Sequence, residues 1–501
     1  MKNIKIKYSY FEVIIFLFFL FSIIPFIILS LCNHPLGIHE WDWITNLGGL
    51  LNNLSFIEIQ AYYFYNVMGR FSSTFISSLT PYFYSIINYK IFFLINILLS
   101  AIIFFFFVKT FTGLKSNLKI CAISSILWIM WISGISGIYD TLFMLTSVQT
   151  YLFGFYGFVV LLILWKMYFS GFRKKNIIKS LIIIFTIFCI GTNELTLFFT
   201  IALNILVVFQ NYKILKKEKI FLFTFLILIL LFVYIALFSP SNRIRYNAYN
   251  EDVNFLTLIF LSISSSVFNF FTWIINGNII IGFLLIITLL LNENISVRNI
   301  FKINIKFYIF GLILMILFGN ILLIFSTNGM SLAERFVDHL FIFFIIGVLL
   351  LLFILVAENR IAVKKFINKL DNSLMKFSLF FVFIFSSFGQ GIFLDRSDNS
   401  KQNYFSIIKT SSNIGTAWLS ILDETVFKYN QEMNKQYITL NKCKSDTCYV
   451  DKPKHVHKFL YFNKNDRRNN RTGDPYMGYF FNHNIKSVKY NYQKPLQQAN
   501  Q

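Results

Sequence analysis

Long runs of apolar positions, broken at intervals by short polar and basic clusters, dominate the first four fifths of the chain. Val13 to Leu31, Ile220 to Phe238, Tyr308 to Phe325 and Leu340 to Val356 each run without a charged residue over a length close to the ~20 residues that carry a helix across a bilayer. The runs are continuously apolar rather than alternating, which predicts helices and not barrel strands. The fold class that follows is an all-α polytopic membrane protein of about 11 transmembrane helices. Residues 1–394 form the transmembrane domain, and residues 395–501 form a soluble, extracytoplasmic C-terminal segment of small α/β character.

The basic clusters orient the chain. Lys2 to Lys7, Lys109 to Lys119, Arg173 to Lys179, Lys213 to Lys219, Arg298 to Lys306 and Arg360 to Lys376 all belong in the cytoplasm by the excess of Lys and Arg on that side of membrane proteins. The N-terminus is then cytoplasmic, and its three lysines before an apolar run resemble a signal sequence retained as the first span. The outer loops are Asn33 to about Pro81, Gly134 to Gln149, Gly191 to Glu194, Ser239 to Asn254 and Ser326 to His339. Phe255 to Ile275 is apolar enough to span, but it carries Ser262, Ser264, Ser265, Ser266, Asn269 and Thr272. Spanning there would turn two basic loops outward, so the segment reads as an amphipathic or re-entrant helix at the outer face.

In the first outer loop, Trp43 to Leu54 and Ile57 to Tyr65 read as interfacial helices, with aromatic residues suited to the headgroup layer. The tail turns polar, rich in Lys, Asn, Gln, Asp and Tyr. Asn413 to Met433 reads as an amphipathic helix, and Tyr437 to Leu440, Lys458 to Phe462 and Ser487 to Tyr492 as short strands. No repeat of fixed period is present, which weighs against a transporter built from repeated halves.

Composition supports the membrane class: of 501 residues, 56% are hydrophobic, 19% aromatic and only 14% charged, more apolar surface than a globular core can hide. The net charge of +22 does not indicate nucleic acid, because the cations sit at span ends rather than on one basic face. Cys32, Cys121 and Cys189 lie in or beside spans. Cys443 and Cys448 lie together in the tail and read as a disulfide loop, as free thiols or, with His455 and His457, as a zinc site.

Five polar constellations fall on the outer side. His39-Glu40-Trp41-Asp42 offers two carboxylates able to share a divalent cation (Mg or Mn), or to divide into a general base and an orienting group. Gly69-Arg70-Phe71 offers a guanidinium suited to phosphate oxygens. In Gly191-Thr192-Asn193-Glu194, a membrane-edge acid demands a partner, for which the arginines here are candidates. Ser239-Pro240-Ser241-Asn242 leads to Arg243 and Arg245, two cations against the positive-inside trend. Ala333 to His339 supplies Arg335 at the start of a late span. Each has a plain structural reading as a surface loop or headgroup anchor; their sharing of one face suggests chemistry on a phosphate-linked donor.

With these motifs in order, the chain resembles the GT-C glycosyltransferases, multi-spanning membrane enzymes, and more narrowly a group of bacterial membrane proteins with an acidic pair after the first span. The resemblance rests on Glu40-Trp41-Asp42, Gly69-Arg70-Phe71, Thr192-Asn193-Glu194, Ser239 to Asn242 with Arg245, and Tyr476-Met477-Gly478-Tyr479-Phe480 before Ile485 to Val488. It departs where Trp41 separates the two acids. The resemblance implies transfer of a sugar from a polyprenyl-phosphate-linked donor to a glycan or lipid acceptor, outside the bacterial inner (plasma) membrane. Asp42 or Glu40 would be the catalytic acid group and Arg70, Arg243, Arg245 and Arg335 the donor-phosphate contacts, with His39, Glu194 and Asn242 in support. The membrane lipid is a partner, nucleic acid is not, and no cofactor beyond an optional cation is implied. The competing expectation is a transporter or flippase for an anionic or lipid-linked substrate.

Overall fold

The computed structural model of the chain describes residues 10–35, 54–67, 69–83, 85–171, 174–242, 254–276, 278–290, 305–326, 334–358, 373–388, 390–395, 406–451, 453–455, 459–460 and 487–491. Its transmembrane part is a helical bundle. In chain order it contains α1 (Tyr10–Cys32), α2 (Phe56–Asn66), α3 (Phe71–Phe83), α4 (Ile86–Thr112), α5 (Asn117–Gly134), α6 (Phe153–Phe169), α7 (Lys175–Ile190), α8 (Glu194–Leu215), α9 (Lys219–Leu237), α10 (Phe255–Asn276), α11 (Ile279–Leu290), α12 (Ile305–Ser326), α13 (Glu334–Glu358) and α14 (Ser373–Phe388). Among the described residues, 8 helices are long and apolar enough to cross a membrane.

The helices at the centre are buried by aromatic packing. Trp128 of α5 sits edge-on between Phe19 and Phe26 of α1, at 5.5 and 5.7 Å between ring centroids. Its indole N–H donates to Ser100 Oγ of α4 at 2.9 Å, so the ring is buried without leaving its one donor unpaired. Toward the edge the pattern reverses: on α9 only Phe225 and Ala236 are buried, and Ile220 and Leu230 stand in the open. A helix apolar all round and uncovered by protein has only lipid as a matching solvent.

Local signals set the helix ends. Ser55 begins α2 through a capping box with Glu58, Ser85 and Ser116 cap α4 and α5, and Asn193 caps α8, each giving an oxygen to an otherwise unpaired N–H of the first turn. Of the two interfacial helices read from the first outer loop, the second corresponds to α2, and 43–54 lies all but wholly outside the described residues. Arg70 to Thr80, read as a polar and small-residue stretch, coincides largely with the helix α3.

The segment 255–275 lies within one 22-residue helix, Phe255–Asn276, and most of the polar positions read from the sequence, though not Ser264 and Thr272, are buried against the bundle. Ser262, Ser265, Ser266, Asn269, Trp273 and Asn276 make the buried stripe. Asn269 Nδ2 donates to Asn320 Oδ1 of α12 at 2.9 Å, and Trp273 packs on Phe341 and Phe344 of α13. Past the end of α10, Asn278 adopts a left-handed φ of 51°, a conformation asparagine tolerates better than most residues. Its amide donates to Ser387 Oγ of α14 at 3.1 Å, and α11 begins at the next residue.

The C-terminal segment is tied to the bundle along its first half. After α14 come β1 (Gln390–Asp395) and β2 (Ser406–Ser411), an antiparallel pair in register from Gln390 with Ser411 to Asp395 with Ser406. Next is α15 (Asn413–Leu422), which lies against the middle of α1: Trp418 stacks on Phe21 at 4.6 Å, and its indole N–H donates to the Phe21 carbonyl at 3.1 Å. This part of 395–501 is therefore packed on the transmembrane domain rather than free in solvent. The single helix expected over 413–433 is broken at Asp423-Glu424, where Glu424 takes φ 62°, and resumes as α16 (Thr425–Lys442).

Tyr437 to Leu440, expected as a strand, lies inside α16; the apolar side chains Val426, Tyr429, Met433, Tyr437 and Leu440 are buried at helical spacing, so period and not β propensity decides the segment. Of the expected strand 458–462, only 459–460 falls within the described residues, and those form a turn. Ser487 to Tyr492 corresponds to β4 (Ser487–Asn491), paired in parallel with β3 (Thr447–Asp451). Cys443 and Cys448 are joined as a disulfide, which removes the free-thiol and zinc readings for them, and His455 Nδ1 instead meets Glu432 Oε1 at 2.7 Å.

Candidate functional site

Between α5 and α6 the chain does not cross open space as a loop. It forms two single π-helical turns, Tyr139–Phe143 and Val148–Leu152, both buried. A π turn inserts one residue into the helical ladder and redirects the side chains beside it, and such turns concentrate at functional sites. Here they turn Asp140, Thr141, Tyr151 and Leu152 into a small cleft closed by Trp131, Ser147, Arg335, Asp338, His339 and Ile342.

Asp338 fixes one wall. Its Oδ1 accepts from Ser136 N and Ser136 Oγ, both at 2.8 Å, and its Oδ2 accepts from Gly137 N at 2.8 Å and Thr141 Oγ1 at 2.9 Å. Four donors satisfy a buried carboxylate, and they bind the start of α13 to the turn after α5. On the opposite side of that turn, Asn413 of α15 donates to the carbonyls of Ile132 and Ile135, each at 2.7 Å.

A second corner is built by Arg70. Its Nε and Nη2 bind the two carboxylate oxygens of Glu194 at 3.2 and 2.6 Å, a two-pronged pairing suited to the planar guanidinium. Its Nη1 donates to the Tyr151 hydroxyl at 3.3 Å. Close backbone approach makes this corner possible: Ser72 N donates to the Gly191 carbonyl at 2.8 Å, and a Cβ on Gly191 would run into Phe71 and Ser72. A Cβ on Gly69 would run into Ser239 and the Ala236 carbonyl. Only glycine fits at these two crossings, so the Gly69-Arg70, Gly191 to Glu194 and Ser239 motifs meet in space.

Tyr151 joins the corner to the cleft. Its ring lies edge-on to Phe336 at 5.2 Å and to His339 at 5.4 Å. His339 Nε2 is 3.1 Å from Thr196 Oγ1, which also receives a bond from Asn193 Nδ2 at 2.9 Å; the same amide nitrogen donates to the Thr150 carbonyl at 2.8 Å.

Arg335 is held differently from Arg70. Among the described residues its Nη1 reaches the Met144 sulfur, at 3.6 Å, and its guanidinium lies 5.4 Å from the Phe336 ring centre. Among the described residues its Nε is buried with no hydrogen-bond partner, and so is Trp131 Nε1, in the wall of the same cleft. Buried donors are rarely left unpaired. Two in one cleft favour an oxygen-rich, hydrogen-accepting occupant.

Of the residues singled out by sequence, Arg70, Glu194 and Arg335 therefore gather around Tyr151. Asn242 does not: its amide caps α9, donating to the Ala236 and Leu237 carbonyls at 2.8 and 3.3 Å. His39, Glu40, Asp42, Arg243 and Arg245 lie outside the described residues. The sequence reading passed over Asp140, Tyr151 and Trp131. The available signal for Asp140 was an acid set in the apolar stretch Gly137 to Leu145, a costly placement that usually marks function. Compared with known proteins, the chain matches no family model, no curated protein and no solved structure.

Proposed function

We propose that the protein is a membrane glycosyltransferase of GT-C type, which moves a sugar from a polyprenyl-phosphate-linked donor to a glycan or lipid acceptor at the outer face of a bacterial inner membrane. The observation that carries the reading is the pair of unpaired buried donors, Arg335 Nε and Trp131 Nε1, in a cleft at the end of the bundle. A phosphate ester supplies several acceptor oxygens to such donors and none of its own at neutral pH. Arg335 is the principal phosphate contact in this reading, and Arg70, already paired with Glu194, holds Tyr151 at the cleft edge.

The acceptor hydroxyl attacks the anomeric carbon as the bond from that carbon to the phosphate oxygen breaks. The polyprenyl phosphate departs as an anion and needs no proton. Asp42 takes the proton of the attacking hydroxyl, with Glu40 orienting the acceptor; a Mg or Mn ion held by these two acids is compatible with their oxygen donors and is not needed for the bond changes. Arg243 and Arg245 add positive charge on the donor side.

The topology in this reading has eleven crossings: α1, α4 to α9, α12 to α14, and α10 with α11 as one crossing interrupted at Asn278. The ion pairs Lys119–Glu12 and Lys179–Glu218 lie at the basic, cytoplasmic ends, opposite the cleft. The test is mass spectrometry of cell-surface glycans in strains carrying the normal protein, Asp42→Ala, Arg335→Ala or no protein. Loss of one glycan species in the deletion and in both variants is expected; identical glycans in all four strains sink the proposal.

A further inference from the structure

Beneath the cleft, the face of α8 turned toward α6 and α7 is polar well into the bundle. Thr196, Thr200 and Asn204 recur every fourth residue, which stacks them on one face of a helix, and all three are buried. Thr196 meets His339 at the cleft. One turn further in, Thr200 lies beside the thiol of Cys189 of α7, and a turn beyond that Asn204 Oδ1 accepts from Trp165 Nε1 of α6 at 3.0 Å. On α7, Thr186 sits almost one turn inward of Cys189 and is buried too.

Three polar atoms in this seam are buried and underused: among the described residues Asn204 Nδ2 and Thr186 Oγ1 lack a hydrogen-bond partner, and Thr200 Oγ1 has only the weakly hydrogen-bonding Cys189 thiol beside it. Their burial is nearly complete, with relative exposures of 0%, 3% and 1% for Thr200, Asn204 and Thr186. Trp128 in the aromatic centre of the bundle serves as the reference: it is equally buried and, like Trp165, has its indole N–H paired. Its partner Ser100 is itself bonded to the Ile97 carbonyl, whereas the Asn204 that pairs with Trp165 keeps an Nδ2 unpaired among the described residues. Unpaired polar groups at this depth are commonly satisfied by internal water, which needs two to four polar partners. Side chains four apart on a helix have Cβ atoms about 5–6 Å apart, a gap that one water bridges with two hydrogen bonds.

We propose that the seam between α6, α7 and α8 holds a file of internal waters running inward from the cleft, from His339 and Thr196 past Thr200 and Cys189 to Asn204 and Thr186. The file gives His339 a protic contact on its interior side, separate from solvent at the mouth of the cleft. This assignment does not depend on the transferase reading, because a transporter with the same fold would contain the same waters.

Hydroxyl-radical footprinting by X-ray radiolysis of the full chain in lipid nanodiscs tests it, since radicals form from bound waters and oxidise the side chains beside them. Trp165 is expected to oxidise several-fold faster than Trp128, although both are buried, and Cys189 to be oxidised as well. The double variant Thr200→Val with Asn204→Leu keeps side-chain size close to the original and is expected to bring Trp165 down to the Trp128 rate and to lower Cys189 oxidation. Equal rates for Trp165 and Trp128 in the unaltered protein overturn the proposal. An unchanged Trp165 rate in a folded double variant removes it from these side chains, and the unaltered-protein comparison stands if that variant fails to fold.

Discussion

Arg70 and Arg335 occupy two corners around Tyr151, and their surroundings differ. Arg70 is a finished structural unit: both carboxylate oxygens of Glu194 face it, Tyr151 takes its third bond, and two glycines bring the backbones close enough for the pairing. Arg335 has a sulfur and an aromatic ring for company and a buried Nε with no partner among the described residues. Residues of one type thus divide into one whose donors are satisfied within the fold and one that keeps a donor unpaired among the described residues. Exposure alone would not separate them; the count of satisfied donors does.

The largest effect expected from breaking either corner is at Asp338. Replacing it by Ala leaves four donors from Ser136, Gly137 and Thr141 without their acceptor, and at about 1–3 kcal/mol for each buried group left unpaired, less what water recovers, a loss of about 4 kcal/mol is expected. Unfolding of the purified protein in detergent measures it, and a loss below about 1 kcal/mol would mean the turn after α5 does not depend on this carboxylate.

Glu194→Ala comes next. It strands the Arg70 guanidinium, but the Glu194 side chain is 42% exposed, so about 2 kcal/mol is expected rather than the ~3–5 of a fully buried pair. In a double-mutant cycle the Arg70→Ala, Glu194→Ala protein should lose less than the sum of the single losses. Additive losses would dissolve the contrast between the two arginines.

A smaller effect concerns the clamp that docks α16 on the bundle. His34 is buried between the Tyr437 hydroxyl at 3.0 Å and Asn430 Oδ1 at 2.8 Å, and Lys90 Nζ reaches the same Asn430 oxygen at 2.7 Å. Burial, with nearby Lys90 adding to it, pushes the His34 pKa down to about 3 from 6.5. Between those values the folded protein binds fewer protons than the unfolded chain, so the contribution is full above pH 6.5 and declines as pH falls toward 3. At pH 5 the loss is about 1–2 kcal/mol, and it should vanish in His34→Gln. An equal acid sensitivity in His34→Gln would place the titrating group elsewhere.

Arg335→Ala should have the smallest effect on stability, within about 0.5–1 kcal/mol, because few bonds are lost, and yet it should abolish the glycan product. A protein made unstable by this change while retaining its glycan would reverse the comparison.

Much of this architecture was legible in the sequence because lipid is an undiscriminating solvent. Any run of about twenty residues as apolar as Val13 to Leu31 must become a helix there, since the backbone has no other partner for its hydrogen bonds. The cap residues Ser55, Ser85, Ser116 and Asn193 act within three residues of themselves, so their consequences are local too. The stretch from Tyr139 to Leu152 was not legible. Its two π turns depend on what α13 brings against them, and Asp338 is some 200 positions away. The polar stripe of α10 failed for the same reason: its spacing shows a face, but the choice between headgroups and Asn320 of α12 belongs to the packing.

The sequence by itself determined the membrane class, the ends of many helices, and the placing of Arg70, Glu194 and Arg335 near the same ends of their helices, because hydropathy and capping are properties of short stretches. Only the tertiary structure decided that Glu194 takes Arg70, that Arg335 is left with a buried, unpaired nitrogen, and that Trp131, Asp140 and Tyr151 share its cleft. Hydrogen-bond satisfaction depends on distance and angle among groups far apart in the chain, and no local pattern encodes which of two arginines will find its carboxylate.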